Sequence, residues 1–198
     1  MQKGFTIIEI IIAVFVLTIG IIGVFSAFYV IVFLSQDSVD RFTATYLSQE
    51  GIEIARNIRD TNWLNYGNNN TPTEVNAWDQ FLADRAGGSN DFFWQADYRT
   101  APVFDEAFNL QWYNNENYLK IFGTEGFYEY RNCDSENPDC ETKFKRKITA
   151  SILNQHSIRV LSEVSWDKKA TLLEREKFAG DCGPLNCIKT EEILYDWY

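Results

Sequence analysis

Glu9 is the first residue whose placement calls for a chemical explanation. It is the sole acid among the first 34 residues, where the only other charge is Lys3. Hydrocarbon follows it from Ile10 onward. A carboxylate at the edge of such a segment is penalised and normally has a partner. A second set of reactive side chains lies far downstream: Cys133, Cys140, Cys182 and Cys187. Neither close pair has the CxxC-like spacing that a structural zinc site needs. Asp134, Glu136 and Asp139 fall inside the first close pair and Glu141 follows it. Clustered carboxylates could hold Ca²⁺, but the EF-hand pattern and its central glycine are missing, so a solvated acidic loop is the better reading. His156, the only histidine, sits between two alternating runs and reads as a turn residue. No nucleophile elbow accompanies it. No catalytic constellation and no cofactor site are expected.

The element that must position Glu9 is the run from Ile10 to Leu34, interrupted only mildly by Thr18, Ser26 and Tyr29. About 25 residues rising about 1.5 Å each suffice to cross a hydrocarbon core of roughly 30 Å. Core helices are rarely so long and so apolar on every face. A secretory signal would be shorter and followed by a small-residue cleavage site, and none follows before Ser35. Lys3 flanks one end while Asp37 and Asp40 flank the other. The positive-inside rule then leaves the N-terminus in the cytoplasm and exports the bulk. Export favours disulfides. Four cysteines allow three connectivities, of which the local pairs Cys133–Cys140 and Cys182–Cys187 are favoured, each closing a short loop that contains Pro138 or Gly183-Pro184.

The charge balance narrows the partners. The chain carries 18 basic against 28 acidic side chains, a formal net charge of −10, which argues against nucleic-acid binding through neutralised phosphates. Aromatic residues make up 16% of the chain and fit a strand-rich soluble part. Those between Asn62 and Tyr130 are read mostly as core, with sugar binding as a minority reading.

The boundary Lys3-Gly4-Phe5-Thr6-Ile7-Ile8-Glu9, followed by the apolar run, resembles the type IV prepilin signature: a short basic leader ending in glycine, an aromatic residue, and a glutamate five residues past the cut. The resemblance implies cleavage between Gly4 and Phe5 by a prepilin peptidase on the cytoplasmic face, with methylation of the new Phe5 amine. It also implies that Glu9 pairs with the N-terminal amine of a neighbouring subunit, a kind of buried pair well suited to setting register. Implied partners are other pilin subunits in a helical filament and an inner-membrane assembly platform. Independently of the family, glycine has no Cβ and lets a protease approach the backbone closely. A looser resemblance, to bacterial minor pilins of the pilus-modification group, rests on the run from Thr142 to Ile148, then Val164-Ser165-Trp166 and a closing strand.

Past Leu34 no proline occurs until Pro72. Leu47, Gly51, Ile54 and Ile58 recur at helical spacing, with Glu53, Arg56 and Arg59 off that stripe, so one helix is expected from Phe5 to about Asn62. Gly20 and Gly23 mark either a flexible point or a close helix approach. Residues from Asn65 to Gly88 read as a loop with a short helix around Trp78, Phe81 and Leu82. Hairpins are expected for Tyr118–Phe122 with Gly126–Tyr130, and for Lys145–Leu153 with Ile158–Trp166. Leu172–Phe178 and Ile188–Leu194 would close an antiparallel sheet.

The resulting architecture is an α+β pilin fold. Its expected parts are a leader at 1–4, a transmembrane and polymerisation helix at 5–34, an amphipathic continuation at 35–62, and an extracytoplasmic globular domain at 63–198. The expected role is a structural subunit, a minor pilin, held in the inner membrane and then passed into an extracellular or periplasmic filament. The alternatives are a pseudopilin of a type II secretion or DNA-uptake system and a membrane-anchored, lectin-like binding module. An enzyme is the least favoured reading.

Overall fold

The structure, a computed structural model, describes residues 4, 6–66, 91–98, 111–122, 126–133, 135, 140–167, 182–183 and 186–196. Phe5, the Trp78 to Leu82 helix, the 123–125 turn, the Leu172–Phe178 strand and the acids Asp134, Glu136 and Asp139 lie outside these residues. The chain divides into two compact units, Met1–Asp40 and Arg41–Tyr198.

The first unit holds the start of α1, a single helix assigned to Ile7–Tyr66. Its large apolar side chains, from Ile7 to Leu34, are all exposed. This helix is long and apolar enough to cross a membrane. Two of its hydroxyls are satisfied by the helix itself, as hydrocarbon surroundings favour: Thr18 donates to the Phe15 carbonyl (2.8 Å) and Ser26 to the Ile22 carbonyl (2.9 Å). The helix is continuous through Gly20 and Gly23, and a Cβ at either would meet nothing. No close approach among the described residues accounts for those two glycines.

The second unit is α+β. Its main antiparallel sheet has the order β2-β1-β5-β6-β7, built from β1 (Asp91–Gln95), β2 (Gln111–Trp112), β5 (Phe144–Asn154), β6 (Ser157–Trp166) and β7 (Cys187–Tyr195). A small ribbon pairs β3 (Lys120–Ile121) with β4 (Tyr128–Glu129). Both expected hairpins are therefore present, β5–β6 turning at Gln155-His156, where Asn154 Oδ1 accepts the His156 N–H (2.9 Å). Strands β1 and β2 are additions to the expected set. The helix also runs to Tyr66, beyond Asn62, so Asn65 and Tyr66 are helical and not loop.

Alternation along the strands puts one sheet face against the helix. Ile52, Ile54, Ala55 and Ile58 of α1 meet Phe92, Trp94, Ile148, Ala150, Ile158, Val160 and Leu194. A second cluster joins Ala44 and Leu47 to Leu119, Phe144, Val164 and Trp166. Arg59, expected off the buried stripe, is in fact buried and its guanidinium meets Asp60 Oδ1 at 2.7 Å.

A polar seam accompanies the apolar clusters. Ser48 Oγ donates to the Ser162 carbonyl (2.8 Å) and lies 2.8 Å from Thr190 Oγ1. Gly51 stands directly over Ser162: a Cβ there would come 2.3 Å from Ser162 Oγ and 3.2 Å from Arg146 Cδ. Glycine is needed here for close approach, not for its backbone freedom. Arg146, fully buried, donates to the Leu47 carbonyl (3.0 Å), to Glu50 Oε2 (2.9 Å) and to the Ala96 carbonyl. One side chain thereby ties the helix to β5 and to the segment after β1. Tyr130 donates to the Arg146 carbonyl (2.8 Å), and burial pushes its phenol well above the usual range.

Candidate functional site

The N-terminal site is built on the first turn of α1. Thr6 stands at the helix entrance, its carbonyl accepting the Glu9 and Ile10 N–H groups (3.1 and 3.3 Å). Thr6-Ile7-Ile8-Glu9 has the spacing of a capping box, a signal not used in the sequence reading. A carboxylate in the first turn also faces the positive end of the helix dipole. Glu9 is nevertheless exposed, and among the described residues no hydrogen bond or ion pair of its side chain is seen. Gly4 is exposed with open space where a Cβ would stand. Gly4 and Glu9 therefore lie near one helix entrance, both exposed. Phe5, the expected new N-terminus, lies outside the described residues.

The four cysteines form two local bridges, Cys133–Cys140 and Cys182–Cys187, with Cα–Cα distances of 5.7 and 5.0 Å. The second bridge anchors the start of β7, next to Asn186, whose side chain donates to the Trp166 carbonyl (2.7 Å). His156 is exposed in its turn, with Nδ1 3.4 Å from Asp196 Oδ2. Among the described residues no group of three or more His, Cys, Asp or Glu side chains gathers as a metal site. Of the acids in and beside the Cys133–Cys140 loop, only Glu141 lies within the described residues.

The sheet carries one further charge cluster. Glu163, buried on β6, meets Lys147 Nζ at 3.0 Å on β5 and Lys189 Nζ at 2.5 Å on β7. Burial would raise its carboxyl, but the hydrogen bonds from Lys189 and Lys147 outweigh it and hold the group below the usual carboxylate range. The triad spans three strands and clamps their register.

Neither a curated protein nor a solved structure matches the chain significantly. A family model does match, confined to residues 1–25, and it describes the prokaryotic N-terminal methylation motif. Those residues, Gly4 and Glu9 among them, thus carry the type IV prepilin signature at the head of a long apolar helix.

Proposed function

We propose that the chain is a type IV prepilin whose first four residues are removed as a leader. Residues 5–34 then serve as the membrane and polymerisation helix, 35–62 as its amphipathic continuation, and 63–198 as the exported globular domain. The mature chain begins at N-methylated Phe5 and enters a helical filament as a minor subunit, a structural role and not a catalytic one. A prepilin peptidase, an assembly platform in the inner membrane and other pilins are its partners, and the filament lies outside the cytoplasm.

The observation that carries this reading is Glu9. It is the only acid of the apolar segment, lies within the matched motif, and has no side-chain partner among the described residues. An unpaired carboxylate at that depth is penalised, and the free amine of Phe5 on an adjacent subunit supplies the missing charge. Assembly then replaces lipid by helix–helix packing and removes the electrostatic cost in the same step.

Glu9→Leu tests this. The variant should still insert, lose its leader and fold its globular unit, yet be absent from sheared filaments and accumulate in the membrane. Normal filament content of the variant would show that Glu9 has no assembly role and would favour a helix that only anchors.

A further inference from the structure

Beside the helix–sheet core the globular unit holds an open groove of about 270 Å³, lined by Glu50, Glu53, Ile54, Asn57, Ile58, Asp97 and Tyr98. Its floor is apolar, from Ile54, Ile58 and the Tyr98 ring. The ring packs at 4.9 Å on Phe127, itself 53% exposed, which extends the apolar surface outward. Three carboxylates line it, the half-buried Glu50, the exposed Glu53 and the buried Asp97, and each is held in place. Glu50 is fixed by Arg146 (2.9 Å), Asp97 Oδ2 accepts the Tyr130 N–H (2.9 Å), and Glu53 is paired along the helix with Arg56. Arg56 is in turn drawn toward Glu192 on β7, with Nε to Oε1 at 3.0 Å. Glu53 remains more than half exposed at the mouth.

An apolar groove of this volume with an exposed carboxylate at its edge has a specific complement: a long aliphatic stem ending in a cation. Arginine and lysine side chains lay such stems along apolar surface and keep the charged head at the rim. A planar guanidinium can also engage a carboxylate through two parallel hydrogen bonds. We infer that this groove receives an arginine or lysine side chain from a neighbouring fibre subunit of different, more basic sequence. The choice of a different subunit over a second copy rests on charge. The chain carries −10 overall, and the only charges before Arg41 are Lys3, Glu9, Asp37 and Asp40. The globular units of two copies therefore repel one another, which penalises self-docking. Contacts along a helical fibre join unlike patches, so a groove on one subunit and a basic knob on the next need no self-complementarity. The inference rests on the fibre-subunit reading above and gives that reading a lateral contact outside the apolar helix.

The test uses the full chain in detergent micelles with ¹³C-labelled isoleucine methyl groups. The probes are N-acetyl-arginine amide and its neutral analogue N-acetyl-citrulline amide. The Ile54 and Ile58 methyl signals should shift saturably with the arginine probe and not with citrulline. Glu53→Gln should weaken binding about fivefold, the upper range for an exposed ion pair. Asn57→Arg, which places a cation of the chain's own helix at the groove, should abolish the saturable shift. No saturable shift, or equal shifts with both probes, overturns the site. Shifts at Ile54 and Ile58 that depend on protein concentration without any probe would identify a second copy as the occupant and overturn the assignment to a different subunit. Leader cleavage does not enter this readout, so its failure is separate from failure of the prepilin reading.

Discussion

From Ile7 to Leu34 helix α1 exposes every large apolar side chain, whereas from Ala44 to Ile58 it buries Ala44, Leu47, Ile52, Ala55 and Ile58 to 3% exposure or less. The second stretch finds its partners in its own chain, on the sheet. The first finds none among the described residues, and apolar surface of that extent is stable only against lipid or other protein. Polar chemistry divides the same way. Arg146 is buried with three acceptors supplied by its own fold, while the Glu9 carboxylate meets no donor among the described residues. One region is finished by folding, and the other is finished only by its surroundings.

The largest expected effect that would break this contrast comes from Arg146→Met. Removing the guanidinium strands the Leu47 and Ala96 carbonyls and frees Glu50. Loss of one partner from a buried ionic network costs about 3–5 kcal/mol, and the lower end is expected here because Glu50 still reaches water. Urea unfolding of the globular unit should show this loss, while membrane insertion of the apolar helix stays unchanged. A parallel loss of insertion would mean that the two regions are not independently completed.

Gly51→Ala probes the closest helix–sheet contact. Alanine gains about 1 kcal/mol of helix propensity, but its methyl would overlap Ser162 Oγ and crowd Arg146. Overpacking of that kind costs about 1–3 kcal/mol, so a net loss of about 1 kcal/mol is expected. Adding Ser162→Gly should recover stability beyond the sum of the single changes. Gly20→Ala, with open space around it, should leave the unfolding of the globular unit untouched.

The smallest effect is electrostatic. The carboxyl of Glu163 is held low in the folded state, so its contribution is fully present above the unfolded pKa of about 4.3 and fades as pH falls through the folded value. Glu163→Gln should therefore cost about 1 kcal/mol at pH 7, reduced by salt because Lys189 is half exposed. Its unfolding should also depend less on pH below about 4.3. An unchanged acid profile in the variant would remove Glu163 from the account.

Much of this contrast is written in local sequence. The apolar run, the Gly4 and Glu9 spacing and the β5–β6 alternation are short-range patterns, and the structure shows a helix and a hairpin there. Strand β1 was missed because Asp91-Phe92-Phe93-Trp94-Gln95 has three aromatics in a row. No alternation marks it, and its partners, Ile148 to Ser151, lie far along the chain. The burial of Arg146 was equally hidden. A lysine- and arginine-rich run reads as a solvated face until the helix carbonyl of Leu47 is known to lie above it. The groove depends on Glu50 and Asp97 meeting in space, which no spacing rule reports. Thr6 was the local signal overlooked, since its capping-box spacing to Glu9 was legible from the start.

The central claim, that the apolar region is processed for incorporation into a fibre, is tested most directly by the intact mass of the protein purified from its native membranes or filaments. The account predicts a chain lacking Met1-Gln2-Lys3-Gly4 and carrying one methyl group on the amine of Phe5. A full-length chain with Met1 still in place would contradict it.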